Sequence, residues 1–362
     1  MNNTTPITVL IMAGGTGGHV FPALALARVL TDGGHKVEWL GTARGIEARL
    51  VPEAGYPLHE IAISGVRGHR LSIKLRAPWR IFKALLQAVK IIRQVNPQVV
   101  VGLGGFAAGP GGIAARILWK PLVIHEQNAV AGTTNKILAR IASETLAAFP
   151  GVLPGSQCIG NPVRAEIEAI PEPAQRFANR TASMPMRLLV MGGSLGAVAI
   201  NKAVPGALAK MPIEQRPHVR HQAGAKHVLE ARAFYREAKV DGEVIAFVKD
   251  MARALAWADL VICRAGALTV AELAATGVAA VLIPFPYAID DHQTANAQFL
   301  ERGGAAVLRQ QGDLTVENLA QLLAELLSDR KQLLTMAKAA RALAVHRSAD
   351  HFADICLELA HG

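Results

Sequence analysis

Short apolar runs, several of them breaking into glycine-rich turns, punctuate this chain. In the first half they are Thr8–Met12, Lys36–Leu40, Val99–Val101 and Leu122–Ile124; in the second, Leu188–Met191, Val244–Phe247, Leu260–Cys263 and Ala280–Ile283. A short apolar run that ends in glycines reads as a buried parallel strand turning into a helix N-terminus. Stretches with helical spacing intervene or follow: Pro22–Thr31, Pro78–Gln94, Val316–Leu327 and Arg330–Val345. This alternation is the rhythm of a doubly wound parallel sheet. It breaks near Asn161-Pro162, and Ile170 to Met186 is proline-rich without a strand-like run. A domain boundary therefore falls there. The pattern predicts an α/β chain of two Rossmann-like, doubly wound domains, residues 1–163 and 164–345. A C-terminal helix follows in 346–362, centred on His351–Leu359. The sequence leaves either domain open to that helix, a return to the first included.

The pattern also repeats. Thr8 to His19 reads T-V-L-I-M-A-G-G-T-G-G-H, and Arg187 to Ala197 reads R-L-L-V-M-G-G-S-L-G-A, aligned on Gly14 and Gly192. A glycine turn at a helix N-terminus exposes backbone N–H groups with a favourable dipole, which suits an anion such as a diphosphate. Either turn alone is equally served by a plain strand–helix connection. Two copies point to two domains facing one ligand.

Composition narrows the class. At 362 residues, 51% hydrophobic and 18% charged, the chain is globular and long enough for two domains. Its three cysteines, Cys158, Cys263 and Cys356, are scattered, so neither a disulfide framework nor a zinc site is expected, and a reduced cytosolic setting fits. No signal peptide or membrane span is expected. Charge is uneven. Between Ile61 and His125 there is no Asp or Glu, and the ten basic residues there account for the whole net charge of +10. Such asymmetry points to an anionic partner, nucleic acid or a membrane surface.

That basic stretch interleaves apolar and cationic residues. Leu71, Ile73 and Leu75 alternate with Arg70, Lys74 and Arg76. Pro78 then suits a first helical position. From it Trp79, Phe82, Leu85, Leu86, Val89 and Ile92 fall on one face, and Arg80, Lys83, Gln87, Lys90 and Gln94 on the other. The stretch reads as an interfacial membrane contact or as a surface helix with a solvated basic face. Nucleic acid is disfavoured, because single-strand readers stack bases on several aromatics and only Trp79 and Phe82 are offered.

The glycine turns do not complete a cofactor fingerprint. Gly15 and Gly17 are followed by Val20 where a third glycine belongs, and the second strand ends in Leu40-Gly41-Thr42 without a carboxylate. No P-loop is present. A third glycine-rich loop, Gly102 to Gly112, follows Val99–Val101, and His125-Glu126-Gln127-Asn128 ends another strand. Polar residues at the carboxyl ends of parallel strands are where an open α/β sheet binds ligand. In the second half Cys263 to Glu272 again runs strand, turn, helix; Ala267–Thr269 offer backbone amides, and Glu272 is placed for hydroxyls or as a first-turn dipole partner. Asp290-Asp291 lacks further ligand spacing, so no metal is expected.

With these residues assembled, the chain resembles the bacterial UDP-N-acetylglucosamine-dependent transferases that glycosylate the lipid-linked muramyl precursor of peptidoglycan. The resemblance spans essentially the whole chain. It rests on Gly14 to Pro22, Gly104-Gly105-Phe106 with Gly109-Pro110, His125 to Asn128, Gly160 to Arg164, Gly192-Gly193-Ser194, Arg264 to Thr269 and Pro284-Phe285. Phe106 stands where a tyrosine is usual, and Leu195 and Ala265 where a glutamine and a serine are common. The resemblance implies a GT-B fold, two domains facing a cleft, with UDP-N-acetylglucosamine mainly on the second. Ser194 would lie at the diphosphate with Arg164 beside it, and Val248 near the uracil. Ala267, Leu268, Thr269, Val270, Ala271 and Glu272 would surround phosphate and ribose, and Gln293 the sugar. Thr16, Gly17, Gly18 and Asn128 would reach in from the first domain. The acceptor would be undecaprenyl-diphosphate-linked muramyl pentapeptide. That gives the basic-apolar stretch a purpose, with Arg70, Leu71, Ile73, Leu75, Arg76, Trp79, Arg80, Phe82 and Lys83 as membrane contacts on the cytoplasmic face of the inner membrane. Transfer would invert the anomeric carbon, with no cofactor and no metal. His19 is the first candidate for the base and Glu126 the second; His19 as a loop-orienting or phosphate-binding residue stays equally open. The residues also leave open another UDP-sugar enzyme, such as a 2-epimerase or a transferase with a soluble acceptor, and a noncatalytic anion-binding protein.

Overall fold

The computed structural model describes residues 5–63, 71–178, 180, 181, 184–193 and 196–361, with side chains except at 71–77 and 289. The chain divides into two compact units, residues 1–164 with 347–362, and residues 165–346.

The first unit opens with β1 (Thr8–Ala13), α1 (Gly17–Asp32), β2 (Lys36–Gly41), α2 (Glu47–Glu53), β3 (Leu58–Glu60) and α3 (Leu71–Val95). It continues through β4 (Val99–Gly104), α4 (Ala108–Ile117), β5 (Leu122–Glu126), α5 (Thr133–Leu138), β6 (Glu144–Ala147) and β7 (Gln157–Cys158). Its sheet runs β3-β2-β1-β4-β5-β6-β7, and every adjacent pair is parallel. Helices cover both faces, so β1 is apolar from Val9 to Ala13 instead of alternating. Val9, Ile11 and Ala13 pack on one side with Val20, Leu26 and Leu30 of α1. Leu10 and Met12 pack on the other with Ala84, Ala88 and Ile92 of α3 and Ala114 of α4.

The second unit comprises α6 (Ala165–Glu168), α7 (Pro173–Ala178), β8 (Arg187–Met191), α8 (Val198–Ala209), β9 (His218–Gln222), α9 (Val228–Glu237), β10 (Glu243–Ile245) and α10 (Met251–Trp257). Then come β11 (Leu260–Cys263), α11 (Ala267–Thr276), β12 (Ala279–Leu282), α12 (His292–Arg302), β13 (Ala306–Leu308), α13 (Val316–Ser328) and α14 (Arg330–Ala342). Its parallel sheet is ordered β10-β9-β8-β11-β12-β13. The last helix, α15 (Ser348–His361), belongs to the first unit, where Phe352, Ala353, Ile355 and Cys356 join the α1 side of the core.

One expectation about α3 is corrected. The helix begins at Leu71, with Pro78 inside it and not at its first position. Proline costs a helix one backbone bond and strains the preceding turn, but Leu71–Ala77 are otherwise compatible with helix and continue it. The apolar face from Trp79 to Ile92 is buried only in part. The buried seam is Ala84, Ala88 and Ile92, while Trp79, Phe82 and Leu86 are exposed. Small residues let α3 lie close on the sheet and turn its large apolar side chains outward.

Candidate functional site

In an open parallel sheet, ligands bind beyond the carboxyl ends of the strands where the strand order reverses. In the first unit that point lies between β1 and β4, and in the second between β8 and β11. The residues that follow these strands are the glycine turns of the sequence.

In the first unit, β1 ends into Gly14 and Gly15 (φ +84°), and α1 starts at Gly17. Thr16 is the N-cap; its side chain makes no cap bond, and its carbonyl accepts from the amides of His19 and Val20, both at 3.2 Å. His19 turns back over the loop, its Nδ1 3.0 Å from the Gly14 carbonyl oxygen. A carbonyl only accepts, so Nδ1 carries a proton, and in the neutral ring Nε2 keeps a lone pair. That nitrogen lies against Gly104 (φ +109°), where an added Cβ would come within 3.0 Å of it. The first and third glycine loops therefore meet at the histidine. Phe21 packs under the turn, and an added Cβ on Gly17 would lie 3.1 Å from its ring. The guanidinium of Arg164 sits 6.0 Å from the same ring centre. Phe106 beside this loop is half exposed.

The cluster at the end of β5 divides its labour. Glu126 is buried, and four donors engage its carboxylate: the Asn128 amide (3.0 Å), Asn128 Nδ2 (3.2 Å), the Gly132 amide (3.0 Å) and Asn135 Nδ2 (2.9 Å). It ties the 128–132 loop to the strand. His125 is fully buried, and burial pushes its imidazole down to about 4, so it is neutral near pH 7. Its Nε2 donates to the Gly160 carbonyl at 2.8 Å, Gln127 Nε2 donates to its Nδ1 at 3.1 Å, and its ring stacks on Phe352 of α15 at 5.4 Å. These bonds make it a brace of the first unit.

In the second unit the turn after β8 is described at Gly192, Gly193 (φ +76°), Gly196 (φ +78°) and Ala197; Ser194 lies outside the described residues. Asn201 holds this turn from below. Its Nδ2 donates to the Ala223 carbonyl at 3.0 Å, and its Oδ1 accepts from His221 Nε2 at 3.0 Å. Beyond β11, α11 begins at Ala267, and its N-cap Gly266 offers no side-chain cap. Leu268, Thr269, Val270 and Ala271 complete its first turns, and Glu272 is buried one turn in. Arg264 clamps the neighbouring loop, donating to the carbonyls of Ile283 (3.1 Å) and Pro284 (2.9 Å) and to Gln311 Oε1 (2.5 Å). Gln293 accepts the Phe285 amide at 2.9 Å through Oε1. Val248 is buried and lines a cavity of about 240 Å³ with Leu189, Gln222, Ile245 and Arg253. Asp290 and Asp291 both have positive φ, and Asp291 accepts from Thr294 Oγ1 at 2.7 Å. Among the described residues no group of three or more His, Cys, Asp or Glu is placed to hold a metal ion.

On α3, Trp79, Arg80, Phe82 and Lys83 are all exposed, and the Trp79 and Phe82 rings pack at 5.9 Å. Arg70 lies outside the described residues, and Leu71, Ile73, Leu75 and Arg76 are described by backbone alone. At the far end of α4, exposed Ile117 and Trp119 form a second apolar spot missed in the sequence, with the Arg116 guanidinium 4.6 Å from the indole centre. Among the described residues no helix is long and apolar enough to cross a membrane. The sequence reading also missed Glu47 and the His221–Asn201 pair. Their signals, a carboxylate just after Gly45, a histidine within a strand and an asparagine within a helix, acquire meaning only once the fold brings them under the turns.

Comparisons with known proteins bear on both units. The profile of the glycosyltransferase family 28 N-terminal domain matches residues 9–147, and that of the family's C-terminal domain matches residues 187–353. A protein of Marinobacter nauticus is 54% identical over 357 residues, covering 98% of each chain, and one of Cellvibrio japonicus is 54% identical over 361 residues, covering 98% of this chain and 99% of the other. Both bear the name UDP-N-acetylglucosamine–N-acetylmuramyl-(pentapeptide) pyrophosphoryl-undecaprenol N-acetylglucosamine transferase. The crystal structure of Acinetobacter baumannii MurG superposes with a TM-score of 0.86 at 43% identity, covering 98% of this chain and all of that one. The glycosyltransferase VinC, solved with dTDP, shares the fold at a TM-score of 0.67 and 16% identity, with 98% of this chain covered and all of VinC.

Proposed function

The chain belongs to glycosyltransferase family 28, among the transferases that glycosylate lipid-linked muramyl pentapeptide, and on that premise we propose how its two units do so. The enzyme moves N-acetylglucosamine from UDP-N-acetylglucosamine to the 4-hydroxyl of undecaprenyl-diphosphate-linked N-acetylmuramyl pentapeptide. The product is the β-1,4-linked disaccharide lipid precursor of peptidoglycan.

One observation carries the chemistry: His19 is fixed in the tautomer that leaves Nε2 free, at the switch point of the first sheet. The acceptor oxygen attacks C1 of the donor sugar, its proton passes to His19 Nε2, and UDP departs with the bonding pair. A hydroxyl must come within about 2.6–3.2 Å of that nitrogen. Glu126 was the other candidate, but its carboxylate is occupied by four donors, and on this reading it presents Asn128 to the acceptor. Thr16, Gly17 and Gly18 offer the start of α1 to the acceptor. The donor binds the second unit: uracil by Val248, ribose by Glu272, diphosphate by Ser194 and by α11 from Ala267, sugar by Gln293. Arg164 adds charge at the diphosphate. Negative charge grows on the leaving diphosphate, and backbone amides at helix N-termini answer it without reorganising.

Trp79 and Phe82 with Arg80 and Lys83 supply an apolar wedge ringed by cations, the composition of an interfacial contact with anionic lipid. The enzyme is accordingly a peripheral protein of the cytoplasmic face of the inner membrane, where its lipid acceptor resides. The test is transfer of radiolabel from UDP-N-acetylglucosamine to the lipid acceptor, with soluble muramyl peptides as controls. Equal transfer to the soluble controls refutes the lipid specificity. A His19→Asn enzyme with wild-type turnover removes His19 as base.

A further inference from the structure

We propose that Glu47 is the positioning residue that sets His19, acting through the single peptide that joins Gly14 to Gly15. The inference rests on His19 as the proton acceptor and adds a residue to that site.

Glu47 is the first residue of α2, where a glutamate ordinarily reaches into water beside the positive helix end. Here it is 1% exposed and turned inward. Its Oε2 accepts the Gly15 amide at 2.9 Å, and its Oε1 accepts the Thr42 amide at 3.2 Å and the Thr42 hydroxyl at 2.7 Å. All three donors are neutral, and burying a carboxylate on neutral donors is expensive. The surroundings are cleared for it. An added Cβ on Gly14 would lie 2.5 Å from Oε1, one on Gly41 would lie 2.9 Å from Cγ, and one on Gly45 would overlap the carboxylate. Three glycines from two loops thus make room for one side chain, which marks a built contact and not an incidental one.

The peptide it grips explains the arrangement. The Gly14 carbonyl and the Gly15 N–H are opposite ends of one planar trans unit. Glu47 holds the N–H end, and His19 Nδ1–H donates to the carbonyl end at 3.0 Å. From the β4 side, Gly105 presses on the same unit, since a Cβ there would lie 2.6 Å from the Gly14 oxygen. A carboxylate on the N–H also polarises the amide and strengthens its carbonyl as an acceptor. Without Glu47 the plane is free to tilt, and the ring loses both its tautomer and its aim.

Two readouts decide the matter. In nitrogen-15 histidine NMR of the full-length chain, the His19 signal is assigned by its disappearance in His19→Asn. Wild type shows the Nδ1–H tautomer, and Glu47→Ala shifts His19 to a mixture. In the transfer assay Glu47→Ala lowers kcat about 10- to 100-fold, the scale of a small misplacement of a reacting group, with donor KM within about twofold. In a His19→Asn background the same change costs under about twofold, because the two act as one unit. Thr42→Val loosens the carboxylate without removing it and gives a loss of about two- to fivefold, which keeps the test open if Glu47→Ala does not fold. Multiplicative losses in the double variant, or an unaltered His19 tautomer in Glu47→Ala, would overturn the proposal. If the wild-type chain transfers no sugar, the functional reading falls, and the NMR still decides Glu47.

Discussion

Replacing Trp79 and Phe82 together by serine measures what the first half of α3 contributes to membrane binding. Trp79 is 69% exposed and Phe82 48% exposed, and neither belongs to the buried core. Aromatic side chains of roughly 150–250 Å² then offer about 170 and 100 Å² to a partner. Burying half of that at the headgroup boundary, at about 25 cal/mol per Å², is worth about 3 kcal/mol. That is about 150-fold in partitioning. Arg80→Gln with Lys83→Gln removes about 1 kcal/mol per charge, on anionic membranes only. Cosedimentation with phosphatidylglycerol-rich and with pure phosphatidylcholine vesicles separates the two contributions. The serine pair weakens binding to both, and the glutamine pair to the anionic vesicles alone. Thermal stability stays within about 2 °C of wild type, as expected for surface changes on a domain this large. A serine variant that binds within threefold of wild type refutes α3 as the membrane contact.

Three further outcomes follow from single sites. Gly104→Ala forces a side chain onto φ +109° and a methyl to within 3.0 Å of His19 Nε2. Strain of about 1–3 kcal/mol and at least a tenfold loss of kcat are expected, and wild-type turnover from a stable Gly104→Ala enzyme would refute the placement of Nε2. Asp259→Ala strands Arg180, which sits 2.7 Å from Asp259 with its side chain 8% exposed. Burial raises the Asp259 carboxyl in spite of that cation, so the pair adds little by itself; the loss of about 3–5 kcal/mol on denaturant unfolding comes from the unpaired guanidinium. A loss under 1 kcal/mol would show that Arg180 finds water. Burial holds both His125 and His221 near about 4, below the ordinary 6.5. The unfolded chain therefore takes up these protons first, so stability is fully present above about pH 6.5 and falls as pH drops towards 4, by about 1.4 kcal/mol per unit for each histidine. His221→Asn should lose about 2 kcal/mol less than wild type between pH 7.5 and 5 in urea unfolding, and an unchanged pH slope would rule His221 out.

Most strands that the hydrophobic pattern revealed are buried on both faces; Val244–Phe247 is the exception, since β10 covers Glu243–Ile245 at the sheet edge and Phe247 lies outside it, exposed. β1, β8 and β11 carry almost nothing but apolar residues, because helices cover each side. β9 stayed hidden: His218-Val-Arg-His-Gln looks polar, yet His221 and Gln222 are buried, with His221 paid for by Tyr235 and Asn201 at 3.0 Å each. On α3 the pattern showed the apolar face but not its division, in which alanines make the core contact and the aromatics stay exposed. The glycine turns and the family motifs were legible because close backbone approach restricts residue type locally. Glu47 was not, because its meaning depends on the end of β2 lying beside the end of β1.

The repeated turn is anchored differently in its two copies. Gly15 and Gly193 adopt nearly the same backbone, φ +84° and +76°. The first copy is held by a buried carboxylate on the Gly15 amide. At the described residues of the second, the anchors are neutral: the Gly192 amide donates to the Gln222 carbonyl at 3.0 Å, and Asn201 donates to the Ala223 carbonyl, which lies beneath Gly196. A carboxylate under a helix start offsets the partial positive charge there, whereas neutral dipoles leave it in place. On the proposed donor site, the second turn keeps the potential that a nucleoside diphosphate needs. The first gives part of it up and gains a rigid peptide on which a histidine can be aimed. On the proposed reading, that difference in anchoring is what assigns the leaving group to one copy and the proton to the other.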